Sequence, residues 1–160
     1  GDDISKILFS IKAIDIHDCK EKEISRDEIS FYYRGTNLPS NLIITSVKLK
    51  GKITEKNVIE KKQLKMIEKK KLTQPSQIKT CGSTFKNFGT EKKAWQLIKE
   101  TGCDKFFEGD AIISKKHCNF FVNNGKAKSS DIEKLIQKVK QQVNNRSGVN
   151  LELEIKIIGE

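Results

Sequence analysis

The residues best suited to chemistry in this chain lie close together in the segment TCGSTFKNFG, residues 80–89. A hydroxyl (Ser83), a cation (Lys86) and a carboxamide (Asn87) follow Gly82 in this stretch. The segment shows neither a helical nor a strand period, so we interpret it as a loop. Two interpretations remain open. The residues serve turn geometry and packing, as an isolated Gly-Ser pair commonly does, or they converge on an anionic ligand.

The charge balance of the chain favours an anionic partner. The 160 residues carry a net charge of +10, which suits nucleic acid, a phosphate-bearing small molecule or an anionic membrane surface. Arginine occurs only at positions 26, 34 and 146, and this scarcity argues against a dedicated nucleic-acid-binding domain. No apolar run approaches the roughly 20 residues of a membrane-spanning helix.

The cysteines and histidines predict no metal site. Cys19, Cys81, Cys103 and Cys118 form no CxxC pair, and the two histidines complete no ligand spacing. We expect buried free thiols in a reducing cytosol, and therefore a cytoplasmic protein.

Hydrophobic periodicity predicts an α+β fold around these groups. Strands are expected over residues 7–16, 42–51, 110–114, 119–125 and 151–158. Helices are expected over residues 54–72, 90–102 and 129–145, with a short helical turn at 25–31. The proline of the TQP stretch ends the first helix and marks a domain boundary.

Particular side chains define the expected ends and faces of these elements. Thr90 is expected to cap the second helix and Gly102 to end it, while a Ser130–Glu133 capping box and Gly148 delimit the third. The expected buried residues are Val58, Ile59, Met66 and Ile67 in the first helix and Ile132, Leu135, Ile136, Val139 and Val143 in the third. In the last strand, strict alternation places Glu154 and Lys156 on one face.

Five short motifs occur in a characteristic order: YYRGTNLP, TQP, CGSTFKNF, GDAIISKKHCNFFVNNGKAKSSDIEKLI and GVNLELEIKIIG. Over essentially the whole chain they resemble the bacterial flavoenzyme family of UDP-N-acetylenolpyruvoylglucosamine reductases. That family shows Tyr-Arg-x-Ser/Thr, Gln-Pro, Gly-Ser-x-Phe-Lys-Asn, Ser-x-x-His-x-Asn-Phe and Glu-Val-Lys-x-Ile-Gly. The chain departs from it at Phe88, where proline is usual, at Asp110, where glycine is usual, and at Lys70 and Lys71, where an arginine is common.

The resemblance implies a division of the chain into three parts. Residues 1–72 are the C-terminal part of an FAD-binding domain, and residues 73–147 are an α+β substrate-binding domain with an antiparallel sheet and helices. Residues 148–160 are a strand that returns to the flavin site. The glycine-rich loop for the flavin pyrophosphate is expected before Gly1, so this chain alone is expected to be inactive.

The resemblance also implies an activity and its residues. The family reduces UDP-N-acetylglucosamine enolpyruvate to UDP-N-acetylmuramate, with FAD and NADPH, in peptidoglycan precursor synthesis. Ser83 matches the proton donor, and Arg34 and Glu154 match the other two catalytic residues. Asn87 and Lys156 match positions on the diphosphate side, and Lys86 is assigned to substrate binding with them. A cytoplasmic monomer that binds neither nucleic acid nor membrane is expected.

The proposed roles agree with the chemistry of these groups. A serine hydroxyl donates a proton only to a strong base, and an enolate-like dianion is one. Arg34 can pair bidentately with the substrate carboxylate, and Glu154 is expected to act protonated, because an ionised neighbour would oppose the developing charge. The alternatives are an isolated or degenerate UDP-sugar-binding domain without redox activity and a basic nucleic-acid-binding domain. The joint presence of Arg34, Ser83 and Glu154 favours the reductase.

Overall fold

The chain divides into two compact units, Gly1–Ile59 and Glu60–Glu160. The computed structural model describes residues 3–87 and 91–159. The predicted division at residues 72 and 147 separates flavin-binding from substrate-binding parts and differs from the division into compact units. It stays a prediction.

The first unit is built on a three-stranded antiparallel sheet of order β2-β1-β5. Its strands are β1 (Leu8–Asp15), β2 (Glu21–Ser25) and β5 (Leu42–Leu49), and a separate hairpin joins β3 (Phe31–Tyr32) to β4 (Gly35–Thr36). Both strands predicted here are confirmed. The helical turn is also confirmed, as a single 3-10 turn at Arg26–Glu28 whose capping box joins the Ser25 amide to Glu28 at 2.8 Å.

The core of the first unit is small. It consists of buried Leu8, Ile11 and Ile29, with Ile24, Phe31 and Leu38 packed against them. Many apolar side chains of the same unit stay exposed, among them Phe9, Ile43, Ile44, Val47 and Leu49. Such a surface is large for so small a core.

Helix α1 (Lys56–Thr73) confirms a predicted helix, but its predicted burial is wrong. Val58, Ile59, Met66 and Ile67 are 52, 51, 57 and 41 % exposed. The reason lies in the spacing of the apolar residues, which are scattered around the helix between lysines instead of forming one continuous stripe. No residue of α1 is buried among the described residues.

The second unit contains most of α1 and a four-stranded antiparallel sheet of order β6-β9-β8-β7, which packs with two further helices. The strands are β6 (Lys79–Ser83), β7 (Phe107–Glu108), β8 (Ala111–Ile113) and β9 (Phe120–Asn123), and the helices are α2 (Ala94–Glu100) and α3 (Ser129–Ser147). The strands predicted at 110–114 and 119–125 are therefore confirmed. The core draws on both helices and the sheet, with buried Phe85, Leu97, Ile98, Ala111, Ile113, Phe121, Leu135, Ile136, Val139 and Val143.

The apolar stripe of α3 is confirmed, but two predicted caps are not. Gly148, with φ +71°, ends α3 as expected, and Ile132 packs half-buried at the edge of the core. The capping box, however, joins Lys128 to Asp131, whose Oδ2 accepts from the Lys128 amide at 2.8 Å. Ser130 cannot be the cap because it already lies in the first turn. The second helix begins at Ala94 after Lys93, and the predicted cap Thr90 lies outside the described residues.

Two backbone predictions near the candidate site are wrong. Residues 79–83 form the edge strand β6 rather than a loop, because the left-handed Gly82 (φ +88°) and a register shift between Thr80 and Ser83 disguise its period. Residues 151–158 form no strand and make one isolated bridge, Leu153 to Phe85. Continued pairing would place Ile155 and Ile157 opposite the irregular part of β6, where the edge is broken.

The cysteines are free, as expected, but only two are buried. Cys103 and Cys118 are buried and Cys19 and Cys81 are exposed. Burial raises the pKa of both buried thiols, which keeps them protonated and inert. Among residues 3–87 and 91–159, no cluster of side chains is arranged to hold a metal ion. In the same residues, no helix has the length and apolar character needed to span a membrane.

Candidate active site

Backbone pairing brings Ser83 and Glu154 together. Ser83 is the last residue of β6, and the segment after it lies antiparallel to the segment that carries Glu154. The Glu154 amide donates to the Thr84 carbonyl at 2.9 Å, and the Lys86 amide donates to the Glu152 carbonyl at 2.8 Å. The residue that follows Ser83 is therefore bonded directly to Glu154, although the two lie far apart in sequence.

Asn119 holds the segment that follows Ser83 in place. Its Oδ1 accepts from the Phe85 amide at 2.9 Å, and its Nδ2 donates to the Phe85 carbonyl at 2.8 Å. Asn119 is 1 % exposed, so loss of this side chain would leave two backbone groups unsatisfied in the interior. Sequence reasoning did not single out Asn119, although the motif HCNFF contains it.

Phe85 anchors the same segment in the core. It is completely buried and packs edge-to-face against Phe121, with ring centroids 5.8 Å apart. Glu154 on the paired segment is half-buried, and its Oε2 is shielded from solvent. Both proposed catalytic groups of this unit are therefore attached to backbone that the core and Asn119 hold rigidly.

Arg34 lies in the first unit, in the two-residue turn between β3 and β4. Its φ of +57° is left-handed, a conformation that costs a non-glycine residue about 1–3 kcal/mol and recurs at ligand-binding sites. The guanidinium carbon lies 5.0 Å from the centroid of the Tyr33 ring, within the range of a cation–π contact. A Cβ at the next residue, Gly35, would come within 2.0 Å of the Tyr32 ring, so a larger residue there would require the exposed Tyr32 side chain to move.

The three proposed substrate-binding residues occupy different places in the second unit. Asn87 Oδ1 accepts from the Ala94 amide at 3.0 Å and so tethers the start of α2. Lys86 pairs with Glu152 at 3.4 Å, a long and partly exposed contact. Lys156 lines a cavity of about 450 Å³ together with Lys79 and Lys128.

The lining of this cavity also includes the apolar residues Phe121, Ile132, Ile136 and Ile155. The sequence places Glu154 and Lys156 on one face, and the structure puts Lys156 in the lining of the cavity and Glu154 outside it. The second unit therefore brings Ser83, Glu154 and Lys86 together along one pair of segments, while Asn87 and Lys156 flank them at the start of α2 and at the cavity.

The fold and the site define an antiparallel α+β domain that presents a hydroxyl and a carboxyl where an edge strand meets a second segment. Residues 74–158 match the family model described as UDP-N-acetylenolpyruvoylglucosamine reductase, C-terminal domain. The chain belongs to this family, as the motifs predict.

Individual relatives agree with the family match. The UDP-N-acetylenolpyruvoylglucosamine reductase of Wolbachia pipientis wMel is 40 % identical over 159 residues, which is 99 % of this chain and 54 % of the relative. The enzyme of the same name from Pelagibacter ubique is 44 % identical over 154 residues, or 95 % of this chain and 51 % of the relative. The chain thus spans about half the length of the curated relatives it matches.

A solved structure supports the fold. The crystal structure of UDP-N-acetylenolpyruvylglucosamine reductase from Thermus caldophilus superposes with a TM-score of 0.81 at 32 % identity, over 95 % of this chain and 53 % of that one. The predicted α+β fold with an antiparallel sheet and helices is therefore confirmed.

Proposed function

We propose that this chain provides the substrate-binding and proton-donating part of an FAD- and NADPH-dependent oxidoreductase. Its reaction is the reduction of UDP-N-acetylglucosamine enolpyruvate to UDP-N-acetylmuramate, a step of peptidoglycan precursor synthesis. The observation that carries the proposal is the pairing of Glu154 with Thr84, beside Ser83, inside the region that matches the reductase family. The names of the relatives that align with 95–99 % of the chain support it.

The proposed groups fit a protein that leaves electron transfer to its cofactors. A hydroxyl, a guanidinium, a carboxyl, an ammonium and a carboxamide are not redox active, so FAD, itself reduced by NADPH, would supply the electrons. Ser83 would deliver the proton to the substrate carbon beside the carboxylate, where negative charge accumulates as the double bond is reduced. The hydroxyl is suited to this task because the acceptor is strongly basic.

Arg34 and Glu154 would act on the substrate carboxylate. The planar guanidinium can bind both carboxylate oxygens as charge builds there, which an ammonium cannot reproduce. A protonated Glu154 would donate a hydrogen bond to the same group. Stabilisation of charge that develops during the reaction is commonly the largest contribution of a protein to such a step.

Lys86, Asn87 and Lys156 would bind the phosphate side of the UDP-sugar. The net charge of +10 suits this ligand and both cofactors, because all three carry phosphates. We further propose that the protein works as a cytoplasmic monomer and binds neither nucleic acid nor membrane. Residues 1–72 would belong to the FAD-binding domain, residues 73–147 would bind substrate, and residues 148–160 would return to the flavin site.

The test joins this chain to the part of the Wolbachia pipientis relative that it does not match, with the intact relative as positive control. The joined protein is expected to oxidise NADPH only when UDP-N-acetylglucosamine enolpyruvate is present, and to release UDP-N-acetylmuramate. Absorbance follows the NADPH, and mass spectrometry identifies the product. A joined protein that retains FAD and binds the UDP-sugar, but never oxidises NADPH, would contradict the proposal.

A further inference from the structure

The only tryptophan of the chain occupies an unusual position on the surface of the second unit. Trp95 lies in the first turn of α2 and is 37 % exposed. Its ring centroid is 6.3 Å from that of His117, which in turn packs edge-to-face on Phe120 at 4.8 Å. The indole therefore rests on a second aromatic ring while part of its surface stays open to solvent.

His117 supports the indole as an uncharged ring. Burial lowers the pKa of His117 below its usual value, so the imidazole is neutral at pH 7. The Asn119 amide lies 3.3 Å from Nδ1 of this imidazole and donates to it, which fixes the orientation of the ring. The side chain of Asn119 also holds the segment after Ser83, so one buried residue contacts the aromatic pair through its backbone and the candidate active site through its side chain.

Groups suited to phosphate are close neighbours of both rings of the aromatic pair. Asn87 Oδ1 accepts from the amide of Ala94, the residue immediately before Trp95, at 3.0 Å. Lys116 precedes His117 in the chain, and its ammonium donates to the Lys71 carbonyl near the end of α1. Trp95 therefore directly follows the residue that Asn87 bonds, and the proposed function assigns Asn87 to the diphosphate.

We infer that Trp95, backed by His117, is a stacking surface for the pyrimidine base of the UDP-sugar. This inference rests on the proposed function and adds to it a residue that positions the ligand and selects for its base. An exposed indole stacks well on a nucleobase because both are flat and polarisable, and the neighbouring neutral imidazole adds no charge that would oppose the contact.

The experiment measures the binding of UDP and of inorganic pyrophosphate to the 160-residue chain and its variants by calorimetry. Trp95→Ala is expected to weaken UDP binding about 5- to 150-fold, the loss typical of one stacked base. Trp95→Phe is expected to lose less than about 5-fold, because a ring remains. Pyrophosphate has no base, so its affinity should not change. The matched control is Phe107→Ala, which removes a 66 % exposed aromatic residue from β7, at the opposite edge of the sheet from β6.

Fluorescence gives a second measurement that needs no variant. Because Trp95 is the sole tryptophan, UDP should change its emission and pyrophosphate should not. The inference is overturned if UDP binds without this change, if Trp95→Ala leaves UDP affinity intact, or if it weakens UDP and pyrophosphate equally. Absence of UDP binding to the unmodified chain overturns the proposed role of the chain in UDP-sugar binding and the inference together, whereas the other outcomes overturn the inference alone.

Discussion

Ser83 is expected to matter for one half of the reaction only. Ser83→Ala, in the joined enzyme, should leave flavin reduction by NADPH unchanged and slow the reoxidation by the UDP-sugar by about 10²- to 10⁴-fold, the usual contribution of one positioned proton donor. Stopped-flow absorbance separates the two halves. Ser130→Ala removes an exposed hydroxyl from the first turn of α3 and is the control. Slow flavin reduction in Ser83→Ala with normal reoxidation would contradict the proposed role.

The proposed role of Glu154 as a hydrogen-bond donor can be tested by comparing two replacements, glutamine and alanine. If the carboxyl acts as a hydrogen-bond donor, Glu154→Gln should keep much more activity than Glu154→Ala, because the amide donates at similar reach. We expect Glu154→Ala to lose about 10- to 100-fold more in kcat, consistent with removal of one hydrogen bond to a charged group. Equal losses in the two variants would instead indicate that this residue transfers a proton. Glu152→Gln, on the same segment, is the control for the paired backbone.

Arg34 allows stability and activity to be separated. Glycine accepts the left-handed turn that Arg34 occupies at φ +57°, so Arg34→Gly should change the free energy of unfolding by less than about 1 kcal/mol, since relief of strain offsets the added freedom of the unfolded chain. Arg34→Gly and Arg34→Lys should both lose about 10- to 100-fold in kcat/KM. Thermal melting and steady-state assays provide the two measurements, with Arg146→Lys as control. Full activity in Arg34→Lys would remove the planar guanidinium from the mechanism.

At the scale of elements, the contacts of Asp15 at the end of β1 lead us to expect that acid destabilises the first unit. Lys22 at 2.7 Å, the His17 amide at 3.0 Å and Asn41 at 2.7 Å surround the Asp15 carboxylate. The ion pair with Lys22, then these two hydrogen bonds, hold the pKa of Asp15 well below its ordinary value. The stabilisation from a lowered pKa is complete above the unfolded value of about 4 and is lost as pH falls through the folded value.

The Asp15→Asn variant should therefore be less stable than the parent at pH 7 and lose less stability on acidification. The two tyrosines, Tyr32 and Tyr33, lie in the first unit and the sole tryptophan lies in the second. Tyrosine emission during thermal unfolding, measured from about pH 7 to pH 2, can follow the first unit separately. Asp18→Asn makes the same charge change as a control. Parallel melting curves for Asp15→Asn and the parent would contradict this account.

The elements that could be predicted from the sequence are those whose pattern lies within a few neighbouring residues. The stripe of α3, the alternation in β1 and the turn at Ser25–Glu28 each arise from residues a few positions apart, and all are confirmed. The edge strand β6 was missed because Gly82 interrupts its period, and the strand at 151–158 was overpredicted because alternation cannot show whether a partner edge is available. The Asn119 clamp depends on a tertiary contact that no local pattern carries. In the site, motif resemblance proposed the residues, and only the fold placed Ser83 beside Glu154.

At the scale of the whole molecule, the chain alone should fold in part and bind no flavin stably. The second unit has a continuous core of helices and sheet, whereas β5 and α1 expose apolar residues. The chain also spans only 54 % of its Wolbachia relative. We expect the purified chain to show a cooperative tryptophan transition of the second unit and to lose added FAD on gel filtration. A yellow protein that turns over NADPH would show that these residues contain a complete flavin site.

The pairing beside Ser83 also has a consequence for synthesis on the ribosome. Lys86 and Glu152, which bond across that pairing, are 66 residues apart. At translation rates of about 5–20 residues per second, roughly 3 to 13 seconds separate the two sides of the pairing. During that interval the segment that follows β6 emerges without its later neighbour, and the exposed Cys81 thiol of β6 emerges with it. A chaperone that binds nascent strands would therefore meet this segment before Glu154 is in place beside Ser83.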